Sequence, residues 1–392
     1  MKKGEYPYKN TMAEKPQPNA AMQVTVHSLY HAGRLKKIVL LAGLTALLLA
    51  AIVHAISSGS VPISVHDTVV VTAQGLQDVL SHLFPHLDSV IIPPPDNPQA
   101  ALIVFGFRFP RILLAVLTGL SLAVAGTVMQ GLLRNPLVSP FTLGLSSAAS
   151  FGAAVAIVIG PAFLGTVFAS TGDNVFIIFM AFLFGWLSML LVYGISRSRG
   201  TSQSMLILAG VVIGYIFQAG VLGMKYISSN DRLRDLVVWL MGGMWGASWN
   251  AVIILTPLCL GCFIVLELMA WDLNTLASGD DVAKSMGINV ERLRLTGLMI
   301  ATFAASCCLA FTGIIGFIGL MAPHICRMLI GNDHRYLIPC SALLGASILL
   351  ISDTVARTIA SPVEIPVGII MYLIGGFFFL FLILRGRGRG LY

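Results

Sequence analysis

The sequence predicts an all-α polytopic membrane protein with about ten transmembrane helices, and three observations carry that expectation. Of 392 residues, 57% are hydrophobic and 10% charged, whereas water-soluble domains carry about a quarter charged residues. Ten apolar runs approach the length a helix rising ~1.5 Å per residue needs to cross ~30 Å of hydrocarbon. Lys and Arg divide unevenly among the connections between those runs, 18 of the 24 on one side and six on the other, an asymmetry that sets orientation in membranes.

The runs fall at about 36–57, 109–133, 141–160, 175–195, 204–224, 249–269, 296–313, 314–330, 337–353 and 366–384. Residues 1–35 read as a disordered cytoplasmic tail, because the first 33 are polar, contain three prolines and lack an apolar period. The run after Lys36-Lys37 is longer than the ~7–15 residues of a signal-peptide core, so an uncleaved first span is expected. One helix from Thr296 to Ile330 would measure about 50 Å, too long for one crossing, and Gly313 and Gly316 offer the break. The remainder, 36–392, is expected to form one ten-span domain.

With ten spans both termini share a side. The six opposing basic residues are Arg108, Arg111, Lys225, Arg232, Arg234 and Arg357. Acidic residues divide almost evenly, eight against nine of 17, as expected when Lys and Arg alone set topology. The termini are therefore expected in the cytoplasm, with the chain multi-pass in the inner or plasma membrane. The surplus of seven positive charges reports this orientation rather than a nucleic-acid partner.

The longest cytoplasmic connection runs from 270 to 295. Asp280 and Asp281 suit the positive start of a short helix, Gly287 its left-handed end, and Asn289 the cap of a second helix with Glu291 in its first turn. A rigid helix-elbow-helix follows, read as a docking element; the alternative is an amphipathic loop resting on lipid headgroups. Outside, 58–107 contains Pro93-Pro94-Pro95 and a short helix near 69–83. Residues 232–243 pair charges with an apolar turn too short to cross, and read as a re-entrant or interfacial helix.

No Gly-x-x-x-x-Gly-Lys-Ser/Thr cradle occurs, so no nucleotide site is expected in this chain. Mid-span carboxylates are scarce, which weakens a proton-coupled transporter. Cys259-Leu-Gly-Cys262 lies within an apolar run without a second pair, His324 and Cys326 sit on different helix faces, and Cys307-Cys308 read as small hydrophobes. No metal site is expected. Gly210 to Gly214 has small-residue spacing that suits helix packing or a dimer face.

Several ordered motifs carry a resemblance to a known family. Arg108-Phe-Pro-Arg111 precedes an Ala/Gly-rich span that ends in Arg134-Asn135-Pro136-Leu137. Trp239 to Gly243 and Gly313-Ile-Ile-Gly-Phe-Ile-Gly-Leu-Met-Ala-Pro-His324 with Arg327 come next. Asp333-His-Arg335, Asp353 to Arg357 and Glu364 to Gly368 complete the set. From about Phe107 to Arg385 the chain resembles the FecCD-type permeases of iron-siderophore, haem and vitamin B12 importers. The tail before Arg34 and the segment 58–107 depart from that pattern.

The resemblance implies a vitamin B12-importer-like permease with two inverted halves. It also implies two permease copies, identical or homologous, a cytoplasmic ATPase dimer that holds the ATP and magnesium, and an extracytoplasmic solute-binding protein. An iron-siderophore complex is the expected cargo, with vitamin B12 or haem as the alternatives and a self-sufficient secondary transporter or channel as the rival of another class. Carried over by residue, Asp280, Asp281, Lys284, Met286, Gly287, Asn289, Glu291 and Arg292 form the ATPase-coupling set. Arg108, Arg111 and Arg357 match external arginines that meet glutamates on the binding protein. Asn135, Leu137, Ser202 and Ser204 match a cytoplasmic gate between the two permeases. Local alternatives are interface anchoring for Arg108 and Arg111, pairing with Asp353 for Arg357, and helix capping for the gate residues.

Overall fold

The computed structural model describes residues 20–59, 61, 63–81, 92–161, 173–198 and 202–385. All regular structure among them is helical. In order these are α1 (Ala20–Ser57), α2 (Val65–Ser81), a π-helical turn (Leu102–Arg108) that runs directly into α3 (Phe109–Leu132), α4 (Leu145–Val158) and α5 (Asp173–Ser198). Then come α6 (Gln203–Ile227), α7 (Asn230–Met241), α8 (Trp249–Leu268), α9 (Ala270–Ala277) and α10 (Asp280–Ser285). The chain closes with α11 (Val290–Thr312), α12 (Ile318–Ile330), α13 (His334–Thr358) and α14 (Val367–Arg385).

Eight of these helices are long and apolar enough to cross a membrane, and α4 and α12 are shorter apolar helices at the places of the third and eighth expected spans. Together they account for the ten runs. The expected split of 296–330 falls between Thr312 and Ile318. Gly313 takes φ +68°, a region closed to most side chains, and its Cβ would collide with the Trp239 carbonyl. That carbonyl belongs to α7, the expected re-entrant helix, whose end meets the break: the Gly243 amide donates to the Thr312 carbonyl at 2.8 Å and the Gly368 amide to that of Gly242 at 3.2 Å. Non-helical backbone at membrane depth persists only where protein covers it and supplies such partners.

Two expectations about extent are corrected. Helix α1 begins at Ala20, so residues 20–35 are helical rather than disordered; Pro16 and Pro18 are the last prolines before it, and beyond them nothing bars the turn. Residues 1–19 lie outside the described residues. At the other end of the external segment, helical structure starts at Leu102 rather than after Phe107. The expected short helix near 69–83 is α2, pinned at its first turn by Asp67, whose carboxylate accepts from Ser64 Oγ at 2.9 Å and from the Asp96 amide at 2.6 Å.

Helix α3 is the axis. Its span, Leu102–Leu132, has 83% of its most apolar stretch buried, against 17% for the first span and 22% for the last. α13, α11, α12 and α8 pack around it. Association between helices in lipid depends on close van der Waals fit, which small residues permit. Here a Cβ on Gly126 would fall on the Gly319 carbonyl of α12, and one on Gly119 on the backbone of Gly345 in α13. Gly126→Leu is expected to force α3 and α12 apart and to lower the thermal stability of the detergent-solubilised protein by the equivalent of about 1–3 kcal/mol or more. Unfolding monitored by size-exclusion chromatography checks it; an unshifted transition would contradict this packing.

Candidate functional site

The elbow forms as its local sequence dictates. Asp280 and Asp281 occupy the first turn of α10. The helix closes with two reverse bonds, Gly287 amide to Lys284 carbonyl and Ile288 amide to Ala283 carbonyl, each 3.0 Å. That Schellman closure requires a left-handed residue, and Gly287 supplies φ +86°. Asn289 Oδ1 then accepts from the Arg292 amide at 3.0 Å and caps α11. Ala283 is buried beneath α10, whereas Val282 is 44% and Met286 67% exposed. An i, i+4 pair of apolar side chains thus faces outward, rimmed by the exposed Asp281, Lys284, Glu291 and Arg292.

The coupling set changes in two places. Val282 joins the outward face; its position four before Met286 was the available signal. Asp280 turns inward, where its Oδ1 lies 2.9 Å from Arg294 Nη2 and 3.2 Å from Arg134 Nη2. A second charged node lies nearby. Asp333 accepts from Lys37 Nζ at 3.0 Å, Arg335 Nη2 at 2.7 Å and Asn274 Nδ2 at 2.9 Å. Arg335 stacks over the Trp271 ring at 4.2 Å. This node joins α1, α9 and α13; Arg335 is a partner two residues on, within the motif, whereas Lys37 and Asn274 lie 296 and 59 positions away and could not be paired with Asp333 from sequence.

The three arginines expected to project outward for docking do not. Arg108 is buried and donates to the carbonyls of Ile56, Ser57 and Val61; Arg357, also buried, donates to that of Ala55 at 3.0 Å. Both guanidinium groups therefore occupy the C-terminal end of α1, where unpaired carbonyls and the helix dipole favour cations. Arg111 grips Asp353 with two bonds of 2.9 and 3.0 Å and Glu364 at 2.7 Å. The local alternatives describe what is observed: Arg357 Nε stands 3.6 Å from Asp353 one turn earlier, and Arg108 anchors a span. Their partners sit in distant segments, which sequence alone did not expose.

The gate residues spend their polar groups locally. Asn135 Oδ1 accepts from the Leu137 amide at 2.9 Å, and Ser202 Oγ caps α6 by accepting from the Met205 amide at 3.2 Å. Leu137 and Ser204 are exposed. No hydrogen bond joins the two pairs among the described residues. All six cysteines are free, and Cys259 approaches Cys308 rather than Cys262, with 3.5 Å between sulfurs. One group with metal-ligand proximity, His66, Asp67 and Asp96, was not foreseen; two of its members are exposed and the Asp67 carboxylate is already engaged.

Ten apolar helices with α3 enclosed by the others, a short helix that meets a glycine break and a rigid elbow between two spans define a multi-pass membrane permease. Comparison with known proteins makes this specific: the chain belongs to the FecCD transport family, which matches residues 23–385, and it is an ABC-importer permease. The match takes in α1 and the external segment, which the motifs alone had left outside the family pattern. The chain is 41% identical over 280 residues to the hemin transport system permease of Yersinia pestis, covering 71% of this chain and 82% of that one. It is 39% identical over 282 residues to the Fe(3+)-citrate import system permease of Bacillus subtilis, covering 72% and 81%. The cobalamin import system permease of Halobacterium salinarum is 37% identical over 292 residues, covering 74% and 75%. A solved inward-facing structure of a metal-chelate type ABC transporter superposes with a TM-score of 0.73 at 32% identity, covering 88% of this chain and 98% of that one.

Two outcomes are expected from the charged nodes. Asp353 is fully buried between Arg111 and Arg357, so Asp353→Asn should destabilise by about 3–5 kcal/mol, the usual effect of stranding a buried charge. Glu364→Gln, at a half-buried site, should do markedly less, and equal shifts in thermal unfolding would contradict the assignment. The Arg335 guanidinium, against the opposing effect of burial and with help from Lys37 and Asn274, holds the Asp333 carboxyl well below the usual carboxylate range. Its stabilisation is complete above the ordinary value near ~3.9 and is lost as pH falls through the lower folded value. The stability gap between wild type and Asp333→Asn should therefore be widest at neutral pH and close only below pH ~4.

Proposed function

We propose that this chain is the membrane-spanning subunit of an ATP-driven importer for a metal chelate, with an iron-siderophore complex as cargo. The observation that carries the proposal is the elbow: a rigid helix with an outward apolar pair and a charged rim, set between two spans. Such a face suits a groove on a cytoplasmic partner, and the missing phosphate cradle means that nucleotide energy must arrive from that partner. ATP and magnesium would then reside on an ATPase dimer docked at Val282 and Met286. Closure of that dimer would bias the permease between outward- and inward-open states, a matter of differential binding rather than of catalysis in this chain.

The 18 to six division of basic residues supports an orientation with the elbow and both termini in the cytoplasm. A second permease, identical or homologous, would complete the conduit, with Leu137 and Ser204 exposed at its cytoplasmic mouth. On the external side a solute-binding protein would deliver the chelate. Arg108, Arg111 and Arg357 serve this docking indirectly, by fixing the ends of α1, α3 and α13 and so the shape of the receiving surface. The cargo assignment rests on the family and on relatives named for hemin, ferric citrate and cobalamin. Haem or vitamin B12 is therefore the second reading.

Proteoliposomes test the class. Uptake of a radio-iron siderophore is expected only when the ATPase, the binding protein and ATP are all present; accumulation by this chain alone would overturn the proposal in favour of a secondary transporter. Competition with haem and cobalamin would separate the cargos. A Cβ at Gly287 meets nothing within 4 Å, so Gly287→Val acts chiefly through a left-handed backbone penalty of about 1–2 kcal/mol. The variant should insert normally yet uncouple hydrolysis from uptake; unchanged uptake would remove the elbow from the mechanism.

A further inference from the structure

The underside of the elbow carries an arrangement that the family reading does not assign. Arg294 lies in the first turns of α11 with its side chain buried, and it reaches three other segments at once. Its Nη2 donates to Asp280 Oδ1 at 2.9 Å, and its Nε donates to the Leu132 carbonyl, the last of α3, at 3.2 Å. With the Gln203 amide oxygen turned toward it, that oxygen accepts from Arg294 Nη2 at 2.7 Å and from Arg134 Nε at 2.9 Å. Arg134 closes the ring through Asp280 at 3.2 Å. Asp280 opens α10, Leu132 ends α3 with Arg134 two residues beyond, and Gln203 opens α6.

We propose that Arg294 is a positioning residue that transmits movement of the elbow to the conduit, by clamping Asp280 of α10 to the cytoplasmic ends of α3 and α6. The inference rests on the proposed function and adds to it the point at which the motor's displacement enters the spans. The geometry suits transmission. A planar guanidinium with fixed N–H directions holds several acceptors in one arrangement, which a single ammonium does not. Because the Arg294 side chain is buried while Asp280 is partly exposed, losing the contact strands the guanidinium and not the carboxylate, so displacing α10 tends to carry α3 and α6 with it. The outward residues of the elbow receive the partner, whereas Asp280 and Arg294 face away from it. The two sets are therefore separable by mutation.

The test uses the complete importer in proteoliposomes and measures, for each variant, siderophore imported per ATP hydrolysed. Arg294→Gln should keep the ATPase bound and hydrolysing while uptake per ATP falls about tenfold. Arg294→Lys, which keeps the charge and loses the fork, should fall between Gln and wild type. A merely structural role would lower complex yield, hydrolysis and uptake together and leave the ratio unchanged, and that result would overturn the inference. Arg134→Gln, at a more exposed site that folding depends on less, supplies the second reading: a ratio equal to wild type in both Arg134→Gln and Arg294→Lys would also overturn it. Wild-type uptake without nucleotide would overturn the proposed function and this inference with it, whereas ATP-dependent wild-type uptake beside an unchanged ratio in the variants rejects the inference alone.

Discussion

The close approach of α3 to the helices around it is the constraint on which the remaining structure depends. In lipid no hydrophobic gain holds one apolar helix against another, so contact must come from backbones near enough for dense packing. Gly119 and Gly126 on α3 answer Gly345 on α13 and Gly319 on α12. A helix surrounded in this way cannot bend independently of its neighbours. Its 31-residue span, Leu102–Leu132, is about 46 Å long at 1.5 Å per residue, more than the hydrocarbon requires. Both ends therefore emerge into polar surroundings, and a charged node sits at each. Arg108 and Arg111 bind α1, α13 and Glu364 at one end; the Leu132 carbonyl and Arg134 join the elbow at the other.

Those two nodes obey one rule. A charge withdrawn from water needs a partner within reach, and a half-satisfied network is worse than none. At the external end Asp353 stands between Arg111 and Arg357, while the excess positive charge is spent on the carbonyls that end α1. At the cytoplasmic end Asp280 stands between Arg134 and Arg294, whose spare donor goes to the carbonyl that ends α3. Both nodes use one carboxylate between two arginines and place a guanidinium on a helix terminus. The helix ends that a membrane protein must satisfy are thus satisfied by the same side chains that bind the spans together.

What could be read in the sequence was whatever nearest neighbours decide. Gly287, Asn289 and the paired aspartates specify the elbow within about ten residues, and each local rule applies without tertiary help. The break at Gly313 followed from length together with Gly313 and Gly316, because 296–330 would make a helix of about 50 Å (roughly 1.5 Å per residue), too long for one crossing. What remained hidden was the direction of charged side chains. Arg357 finds Ala55 across 302 positions and Arg111 finds Asp353 across 242. Nothing local distinguishes an arginine that projects outward from one that folds back onto a helix end. Asp280 shows the same limit: the pattern placed it correctly in the first turn of α10, but its inward orientation depends on Arg294, which α11 delivers 14 residues later.

The distribution of stiffness explains how a passive chain could be worked from one side. The elbow is locked locally by its Schellman closure and cap, so a push on Val282 and Met286 is not absorbed by loop flexure. Under the transmission inferred for Arg294, it would reach α3, the most enclosed helix, and α6, whose most apolar stretch is one-third buried. α3 is held by close backbone contacts to α12 and α13, whereas the close backbone contacts of α6, at Gly210 and Gly144, are to the α4 side. At the glycine break α7, the α11–α12 junction and the start of α14 are tied together by two backbone hydrogen bonds and by close backbone approach at Gly242, Gly313 and Gly368. α6 packs on α4 and α5 rather than on α3, so it meets the axis through the charged ring, where both helices are joined to the same arginine.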